Sequence, residues 1–562
     1  MDVADVSVRR LLLQCSSGDR RKASMVLGAS STKRGWTYPP DELVVQQIQG
    51  LFKERLVMTP ACQAWFDAKI QWRHQLEAVR NYTRDDFSTN FPKESLLKDY
   101  QVPMIAYGMT AKRFINADDR GLGKTLEAIA TSDGAKHQKT LVVAPGYLKL
   151  GWYREIDRWS QRSSFLCRGE RQQRERIIRE FVEHPYPAYL IVNYEMLRED
   201  TKRGGYPELR KIDWDCFIFD EAHRLKGRDS QQTKGSKSLV WDMPQAMIQL
   251  LTGNPIANKP DDVWSLLNML EPKKFSSFWA LVEHFCVMID AYYGKEIGGI
   301  NTARMAEFQY ELMPYIFRRL KKEVAPYLPD KVFHLIEIEL EGPQKAFYTR
   351  LEKQAVIELV NGDLDILPSV VEKNIRLQQA LINPTLLGGV DDSVVERTTL
   401  DLLDDLLESS DKVIVGTHFI AAADRLEMLL KTKREKWNTF RIRAELKDVA
   451  RDKVCEDFKK TEGKCVLVGS IRCMSEGLNI DECDNIVYQD KEWTILDNEQ
   501  FEDRIHRITS TQTKNYYSIV VKNTISEDKE SLLQDRTAER DEIMSMRHVA
   551  ARLVQRVQGN AS

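Results

Sequence analysis

Residues 118–125 of this chain of 562 residues read DDRGLGKT, and this stretch decides the fold class. Gly121 and Gly123 allow a tight turn that brings backbone amides close to phosphate oxygens. Lys124 adds a positive charge, and Thr125 adds a hydroxyl group that can face a magnesium ion. The apolar residues that follow have helical spacing, so the stretch opens a helix whose N-terminal partial charge also favours phosphate. The stretch therefore predicts a phosphate-binding loop between a strand and a helix.

A second stretch, DEAH at residues 220–223, follows the apolar run 216–219. Such a run is typical of a strand that is buried on both faces of a parallel sheet. Ligands bind at the carboxyl ends of such strands, so Asp220 is suited to hold a metal ion and Glu221 to orient and deprotonate a water molecule. The two stretches together predict a site that binds and hydrolyses a nucleoside triphosphate.

Composition places the chain among water-soluble globular proteins. Apolar residues make up 42% and charged residues 30%, and 82 basic against 84 acidic residues give a net charge of −2. No apolar run reaches the roughly 20 residues that span a bilayer, so we expect no membrane segment and an intracellular location. The nine cysteines are scattered without paired spacing, which favours buried, reduced thiols over disulfides or zinc ligands.

Repeated strand, turn and helix patterns predict an α/β fold with two tandem, doubly wound parallel sheets. We predict an N-terminal accessory domain over 1–88, a first lobe over 89–335 with a helical insertion near 260–325, and a second lobe over 336–540 with a helical insertion near 340–400. A C-terminal helix and tail are predicted over 541–562. In the accessory domain, Trp36, Trp65 and Trp72 are interpreted as core residues, with base stacking as the alternative.

The second lobe contains the segment QFEDRIHRI at residues 500–508. Arg504 and Arg507 are three positions apart, so on a helix both guanidinium groups would project from one side. Such a pair could stabilise the charge on a transferred phosphoryl group, although solvated surface arginines share this spacing.

The order of these motifs resembles that of the Swi/Snf-related helicase-like ATPases of helicase superfamily two, which have two RecA-like lobes. The resemblance covers about residues 93–530 and includes the phosphate loop, where that family has an acidic residue at the position of Asp118. It implies ATP and Mg²⁺ as cofactors, and catalytic roles for Lys124, Asp220, Glu221, Arg504 and Arg507. Residues implied in nucleotide binding are Gln101 of the adenine motif, Asp119, Gly121, Leu122, Gly123, Lys124, Thr125 and Gln500, and those implied in metal binding are Thr125 and Asp220.

Further motifs in the same order imply contacts with nucleic acid. The residues concerned are Pro145, Tyr194, Arg318, Arg319 and Ser475. The segment 141–145 with Trp152 and Glu155 resembles the motif that touches the DNA backbone, and residues 251–255 resemble the motif that couples the two sites.

The form of residues 502–508 is similar to that of annealing helicases and replication-fork remodellers, which favours branched or forked DNA. The sequence departs from the usual motifs of that family at two places, which puts the fine coupling between lobes in question. These are Thr509-Ser510 after Ile508, and Ala444-Glu445 where a glycine often stands. The compact chain is more typical of a bacterial or virus-infected host cytoplasm than of a nucleus.

The sequence thus predicts a monomeric, DNA-dependent ATPase that translocates on double-stranded or branched DNA, with a replication, recombination or transcription protein as a further partner of the N-terminal domain. Two alternatives stay open. One is a helicase that separates DNA or RNA strands, and the other is an ATP-gated scaffold that binds DNA or a polymerase.

Overall fold

A computed structural model of the chain describes residues 10–26, 29–198, 206–253, 263–291, 294–361, 367–446, 448–475, 480, 482–507 and 510–534. The chain divides into two compact units, Met1–Leu320 and Lys321–Ser562. Each unit contains one large sheet in which every described strand pair is parallel. The predicted fold class of two tandem RecA-like lobes is therefore confirmed.

The N-terminal region begins with a small antiparallel sheet that the sequence analysis missed. Its strands are β1 (Leu11–Leu13), β2 (Ser30–Thr32) and β3 (Gly35–Tyr38), in the order β1-β3-β2. Strands of three or four residues are too short to show the alternation on which prediction depends. Helices α1 (Arg20–Ser24), α2 (Glu42–Phe52) and α3 (Pro60–Val79) accompany this sheet.

Local signals explain where these helices begin. The side chain of Asp41 accepts a hydrogen bond from the Leu43 amide and caps α2, while Thr59 caps α3 just before Pro60. Trp65 is buried in the core of this region, and the indole Nε1 of Trp72 donates to the Thr110 carbonyl oxygen at 3.4 Å. The interpretation of these tryptophans as packing residues agrees with those contacts.

Buried charges join this N-terminal region to the rest of the first unit. The Lys274 ammonium lies 3.0 Å from an Asp41 carboxylate oxygen and 2.7 Å from one of Glu311. Arg73 pairs with Glu42 and donates to the Tyr310 carbonyl oxygen at 2.6 Å. Residues 1–88 thus belong to the first compact unit, and their accessory role stays a prediction.

The first unit is built on a seven-stranded sheet in the order β12-β4-β9-β8-β5-β7-β6. Its strands are β4 (Arg113–Asn116), β5 (Lys139–Ala144), β6 (Ser163–Leu166), β7 (Ala188–Asn193), β8 (Cys216–Asp220), β9 (Met247–Leu251) and β12 (Ile316–Phe317). Its helices are α4 (Gln101–Ala111), α5 (Lys124–Gly134), α6 (Lys149–Trp159), α7 (Arg171–Glu183), α8 (Gln231–Trp241), α9 (Trp264–Leu270), α10 (Phe278–Phe285) and α11 (Met305–Leu312). Most side chains of the central strands are apolar and buried because helices cover both faces of the sheet.

One part of the predicted helical insertion near 260–325 is a β-hairpin. Strands β10 (Cys286–Ala291) and β11 (Gly294–Ile300) pair antiparallel, with a register shift between Cys286 and Met288. The insertion near 260–325 was predicted to be helical, and this prediction was wrong for the two strands. Its helix-forming residues are concentrated outside the segment of these strands.

The second unit is built on a six-stranded sheet in the order β13-β18-β17-β14-β16-β15. Its strands are β13 (Lys331–Ile338), β14 (Lys412–Thr417), β15 (Asn438–Ile442), β16 (Cys465–Ser470), β17 (Asn485–Tyr488) and β18 (Lys514–Val521). Its helices are α12 (Lys321–Val324), α13 (Gly342–Asn361), α14 (Leu367–Ile382), α15 (Val394–Ser409), α16 (Ile420–Lys433), α17 (Asp448–Lys460), α18 (Ile471–Met474), α19 (Ile495–Glu502) and α20 (Ile525–Gln534).

Strand β13 corrects the predicted boundary between the lobes. It pairs with β18 over its whole length, from Lys331 opposite Lys514 to Ile338 opposite Val521. The boundary predicted at residue 335 would cut this strand, whereas the two units divide after Leu320. The predicted C-terminal helix over 541–562 lies outside the described residues.

Two further observations concern the whole described part of the chain. None of its helices combines the length and apolar character needed to cross a membrane. All nine cysteines lie in the described ranges and none is in a disulfide bond there; six of them are buried.

Candidate nucleotide-binding site

The phosphate loop lies between strand β4 and helix α5. Its two glycines have positive φ angles, 84° at Gly121 and 93° at Gly123, which side-chain-bearing residues rarely adopt. A Cβ atom on Gly123 would also lie 2.6 Å from Nε2 of Gln101. The backbone conformation therefore favours glycine at both positions, and a side chain at residue 123 would also have to displace the Gln101 amide.

The ammonium group of Lys124 is directed into this loop. Its Nζ donates to the carbonyl oxygens of Asp118 at 2.7 Å and Asp119 at 3.2 Å. Burial lowers the pKa of Lys124, although the charges of Glu221 and Asp118 oppose that shift. Thr125 follows in the first turn of α5 and is partly exposed.

Gln101, predicted to bind the base, packs against the phosphate loop. Its Nε2 donates to the Leu122 carbonyl oxygen at 3.3 Å, and its Oε1 accepts from the Lys98 amide at 2.9 Å. The Tyr100 hydroxyl donates to the same Leu122 oxygen at 2.9 Å. Only 2% of Gln101 is exposed, so its amide here orders the loop, and its contact with a base stays a prediction.

Asp118 has a structural role that the loop pattern alone did not indicate. Its buried carboxylate accepts hydrogen bonds from the Arg319 amide at 2.8 Å and from Arg319 Nε at 3.1 Å. Arg319 also donates to Glu127 at 2.8 Å, and Glu127 accepts from Asn116 Nδ2 at 2.8 Å. One guanidinium group thus binds two buried carboxyl groups at the base of the loop.

Asp220 and Glu221 lie at the carboxyl end of β8. The Glu221 amide donates to Asp220 Oδ1 at 3.0 Å, and the indole Nε1 of Trp152 donates to Asp220 Oδ2 at 2.8 Å. Glu221 has a φ of 50°. This left-handed conformation costs energy for a residue with a side chain, and residues that adopt such conformations cluster at functional sites. His223 Nδ1 lies 3.0 Å from Glu221 Oε2.

The two carboxylates have opposite pKa shifts. Burial and the adjacent charge of Glu221 raise the pKa of Asp220 to about 6. Burial alone would raise the pKa of Glu221, but the contact with His223 and the charges of Arg120 and Lys124 outweigh it and lower that pKa to about 2. Glu221 is therefore ionised at neutral pH, as a water-activating base requires. The charge of Lys124 acts on both carboxylates, so the loop and the DEAH stretch form one electrostatic site.

Most of the residues predicted to contact nucleic acid have buried side chains. Pro145, Tyr194 and Ser475 are buried, and Arg319 is occupied by Asp118 and Glu127. The Tyr194 hydroxyl donates to the Asp220 carbonyl oxygen at 2.7 Å, and Ser475 Oγ donates to the Arg472 carbonyl oxygen at 3.0 Å. Arg318 alone among the five is exposed, and contact with nucleic acid stays a prediction for all five.

Trp152 and Glu155, which the resemblance assigns to a motif that touches the DNA backbone, have hydrogen-bond partners inside the first unit. Trp152 is 2% exposed and directed at Asp220, and Glu155 accepts from Trp159 Nε1 at 2.8 Å. The role of Trp152 was not visible in the sequence, because nothing in its neighbourhood indicates that α6 packs beside the end of β8.

The predicted residues of the second unit lie at and beyond the end of α19. The helix ends at Glu502, so Arg504 and Arg507 are not on a helix, and the predicted helical projection of both side chains was wrong. Arg504 Nε donates to the Gln500 carbonyl oxygen at 3.0 Å, and the Arg507 amide donates to Ser510 Oγ at 2.9 Å. Their action on a phosphoryl group stays a prediction. Residues 254–255 and 476–479 of two predicted motifs lie outside the described residues.

Two parallel-sheet lobes with a phosphate loop and a DEAH stretch define the class of two-lobed, helicase-like ATPases. Residues 69–386 match the SNF2-related domain, and residues 398–509 match the helicase conserved C-terminal domain. The chain belongs to the SNF2 family.

The chain spans about a fifth of the length of the curated relatives that it matches. Chromodomain-helicase-DNA-binding protein 6 of Mus musculus is 27% identical over 538 residues, which cover 87% of this chain and 18% of that protein. Chromodomain-helicase-DNA-binding protein 8 of Homo sapiens is 26% identical over 522 residues, which cover 83% of this chain and 19% of that protein. Among solved structures, the Sulfolobus solfataricus SWI2/SNF2 ATPase core in complex with dsDNA is 22% identical, with a TM-score of 0.36, and covers 83% of this chain and 97% of that one.

Proposed function

We propose that this chain hydrolyses ATP in a reaction stimulated by duplex DNA and uses it to translocate along the duplex. The observation that carries the proposal is the phosphate loop, in which Lys124 Nζ is held by two loop carbonyl oxygens, together with Asp220 and Glu221 at the carboxyl end of a parallel strand of the same sheet. A loop with two left-handed glycines at the start of an eleven-residue helix suits the phosphates of a nucleotide.

The residues present also suit a magnesium ion. Within the described ranges, no group of three or more His, Cys, Asp or Glu side chains could hold a metal ion by itself. Mg²⁺ in nucleotide sites is held by one or two protein oxygens together with phosphates, and Thr125 and Asp220 supply that set. When bound, the ion neutralises charge on the phosphates. Glu221, ionised beside it, would orient and deprotonate water, and Lys124 would exchange its loop carbonyls for phosphate oxygens.

Duplex DNA is proposed as the partner because the relatives named above are DNA-binding proteins and the family match spans both lobes. Contacts with the phosphate backbone would give little sequence preference and a strong dependence on salt. Arg504 and Arg507 are proposed to act on the γ-phosphate once the lobes close.

An ATPase assay with and without duplex DNA at low salt tests this function. We expect stimulation by duplex in the wild type and no turnover in Lys124→Ala. Lys345→Ala, which removes an exposed lysine on α13, is the matched control and should behave as the wild type. Equal rates with and without DNA would contradict the proposal, and efficient unwinding of tailed duplexes would favour a strand-separating helicase.

A narrower proposal concerns the structure of the DNA. The form of residues 502–508 supports a preference for branched or forked substrates, whereas the relatives named above are chromodomain helicases. Linear duplex, a three-way fork and a four-way junction of equal length should be compared in one ATPase titration. A lower half-saturating concentration for fork or junction is expected, and equal values would contradict this preference.

A further inference from the structure

The first unit contains a cavity apart from the candidate nucleotide site. Its volume is about 430 Å³, and it lies between the segment before α2, the segment 273–281 and helix α11. Cavities that bind small molecules commonly have volumes of about 300 to 1,000 Å³. The described residues that line it all belong to the unit Met1–Leu320, and none belongs to the phosphate loop or the DEAH stretch.

A buried carboxylate with an unused acceptor atom lines this cavity. Glu311 on α11 is 3% exposed, and Lys274 Nζ lies 2.7 Å from its Oε2. The other carboxylate oxygen, Oε1, is buried and has no hydrogen-bond partner among the described residues. A buried oxygen without a donor costs free energy, so Glu311 favours a ligand that supplies an N–H group.

Acidic groups outnumber basic groups around Glu311. Arg73 is paired with Glu42, and Lys274 is shared between Asp41 and Glu311, so three carboxyl groups face two cations. Burial, together with the charge of Asp41, raises the pKa of Glu311 to about 7 against the opposing charge of Lys274. The interior of the cavity therefore lacks one positive charge, which a ligand ammonium group would supply.

The opening of the cavity has the opposite electrostatic character. The exposed cations Arg10 and Lys273 line it beside Ser276 and Ser277. Ser277 is the N-cap of α10, and its hydroxyl accepts a hydrogen bond from the Ala280 amide at 3.2 Å. The partial positive charge at the start of a helix adds to the charges of the two side chains. The opening thus favours an anionic group.

The remaining walls of the cavity are largely apolar. Phe275, Leu281 and Phe285 are buried and line it together with Pro39. An apolar ligand body would be removed from water against these side chains, which favours binding. The cavity therefore combines a carboxylate inside, apolar walls and cations at its opening.

We propose that this cavity binds a small zwitterion of the amino carboxylate class, with an apolar body between its charged groups. Its ammonium group would donate to Glu311, and its carboxylate would lie near Arg10, Lys273 and the start of α10. The ligand would contact the segment before α2 as well as α10 and α11, and so join the N-terminal region to the rest of the first unit. The proposal goes beyond the proposed ATPase function and does not depend on it.

Calorimetric titration of the full chain with 6-aminohexanoate at neutral pH tests the site. Hexylamine and hexanoate, each of which keeps one charged end, are the matched probes. We expect one saturable site that binds 6-aminohexanoate about tenfold or more tightly than either probe, the difference expected for one charged hydrogen bond. Hydrogen exchange should slow at 39–45 and at 273–282 when 6-aminohexanoate is bound.

Three variants locate the ligand within the cavity. Glu311→Gln should lower the affinity for 6-aminohexanoate about tenfold and leave that for hexanoate unchanged, a difference that a loss of stability would not produce. Ala280→Trp places a large side chain at an exposed lining position and should abolish binding of all three probes, which tests the site without disturbing the buried charges. Lys33→Met, which removes an exposed lysine between β2 and β3, is the control and should bind as the wild type.

Two outcomes would overturn the proposed site. One is 6-aminohexanoate binding that is absent or no tighter than that of hexylamine and hexanoate. The other is unchanged binding in Ala280→Trp, which would place the ligand elsewhere on the chain. Neither outcome bears on ATP hydrolysis, because the site shares no residue with the phosphate loop or the DEAH stretch.

Discussion

The indole Nε1 of Trp152 donates a hydrogen bond of 2.8 Å to Oδ2 of Asp220. The side chain on helix α6 thereby binds the carboxylate at the end of strand β8 that is predicted to hold the metal ion. The Tyr194 hydroxyl, which follows β7, donates to the carbonyl oxygen of the same aspartate at 2.7 Å. Two motifs predicted to touch DNA thus converge on one residue of the hydrolytic site.

Trp152→Phe should shift the pH dependence of ATP hydrolysis. The hydrogen bond from Trp152 lowers the pKa of Asp220, which burial and Glu221 raise to about 6, so its loss should raise that pKa further. The acidic limb of the kcat/KM profile should therefore move to higher pH, because more Asp220 is protonated at a given pH. Trp159→Phe, which removes the donor to Glu155, is the control. An unmoved limb would contradict a role for Trp152 in the site.

Glu221→Gln should retain ATP binding and lose hydrolysis. The amide keeps the shape of the side chain but cannot accept a proton, so kcat should fall by about 10²-fold or more, as for other general bases. Equilibrium binding of a fluorescent ATP analogue should change little. The exposed Glu195 provides the control variant Glu195→Gln. Residual turnover near that of the wild type would assign proton abstraction to another group.

Glu127→Gln should change the pH dependence of stability. Burial and the charge of Asp118 raise the pKa of Glu127 from 4.5 to about 7, against the opposing effects of Arg319, Asn116 and Lys124. The folded state then binds the proton more tightly than the unfolded state, so the free energy of unfolding falls as pH rises from about 4.5 to about 7. The melting temperature of Glu127→Gln should fall less between pH 5 and 7 than that of the wild type, as measured by calorimetry. Parallel curves would contradict the raised pKa.

Arg504→Ala should reduce turnover much more than ATP binding. An arginine that acts on the transferring phosphoryl group contributes mainly in the transition state, with losses of about 10³-fold on removal in comparable enzymes. Steady-state kinetics with saturating duplex DNA should show a lower kcat at similar KM for ATP. Arg376→Ala on α14, an exposed arginine, is the control. Normal turnover in Arg504→Ala would mean either that Arg507 stabilises the transferring phosphoryl group or that neither arginine does.

Most strands of the two large sheets could be predicted because they contain a continuous apolar run between polar, helix-length stretches. The run Phe217–Phe219 is an example, and it indicates burial on both faces without any knowledge of neighbours. Strands such as β6 and β13 have polar side chains among the apolar ones and were not predicted. The short strands β1 to β3 could not be predicted, because three or four residues contain too little periodicity. The hairpin β10–β11 was missed for a related reason, since antiparallel pairing depends on a partner strand as much as on its own residues.

Conformational demands on the backbone were also visible in the sequence. Gly121 and Gly123 were predicted to make the tight turn of the loop, and both adopt positive φ. The chemical role of Glu221 was predicted, but its left-handed backbone conformation was not. A glutamate in the sequence, unlike a glycine, does not indicate a positive φ.

By itself, the sequence determined the class of the protein. The order of the phosphate loop, the DEAH stretch and the apolar strands is local information, and covalent spacing and backbone preference suffice to interpret it. Only the tertiary structure decided which partners the charged and aromatic side chains have. Arg319 is held by Asp118 across 201 positions and Trp152 reaches Asp220 across 68, and such pairs depend on how strands and helices pack. Several residues with the pattern of nucleic-acid contacts have partners inside the protein, because a buried ion or hydrogen-bonding group must find its partner there.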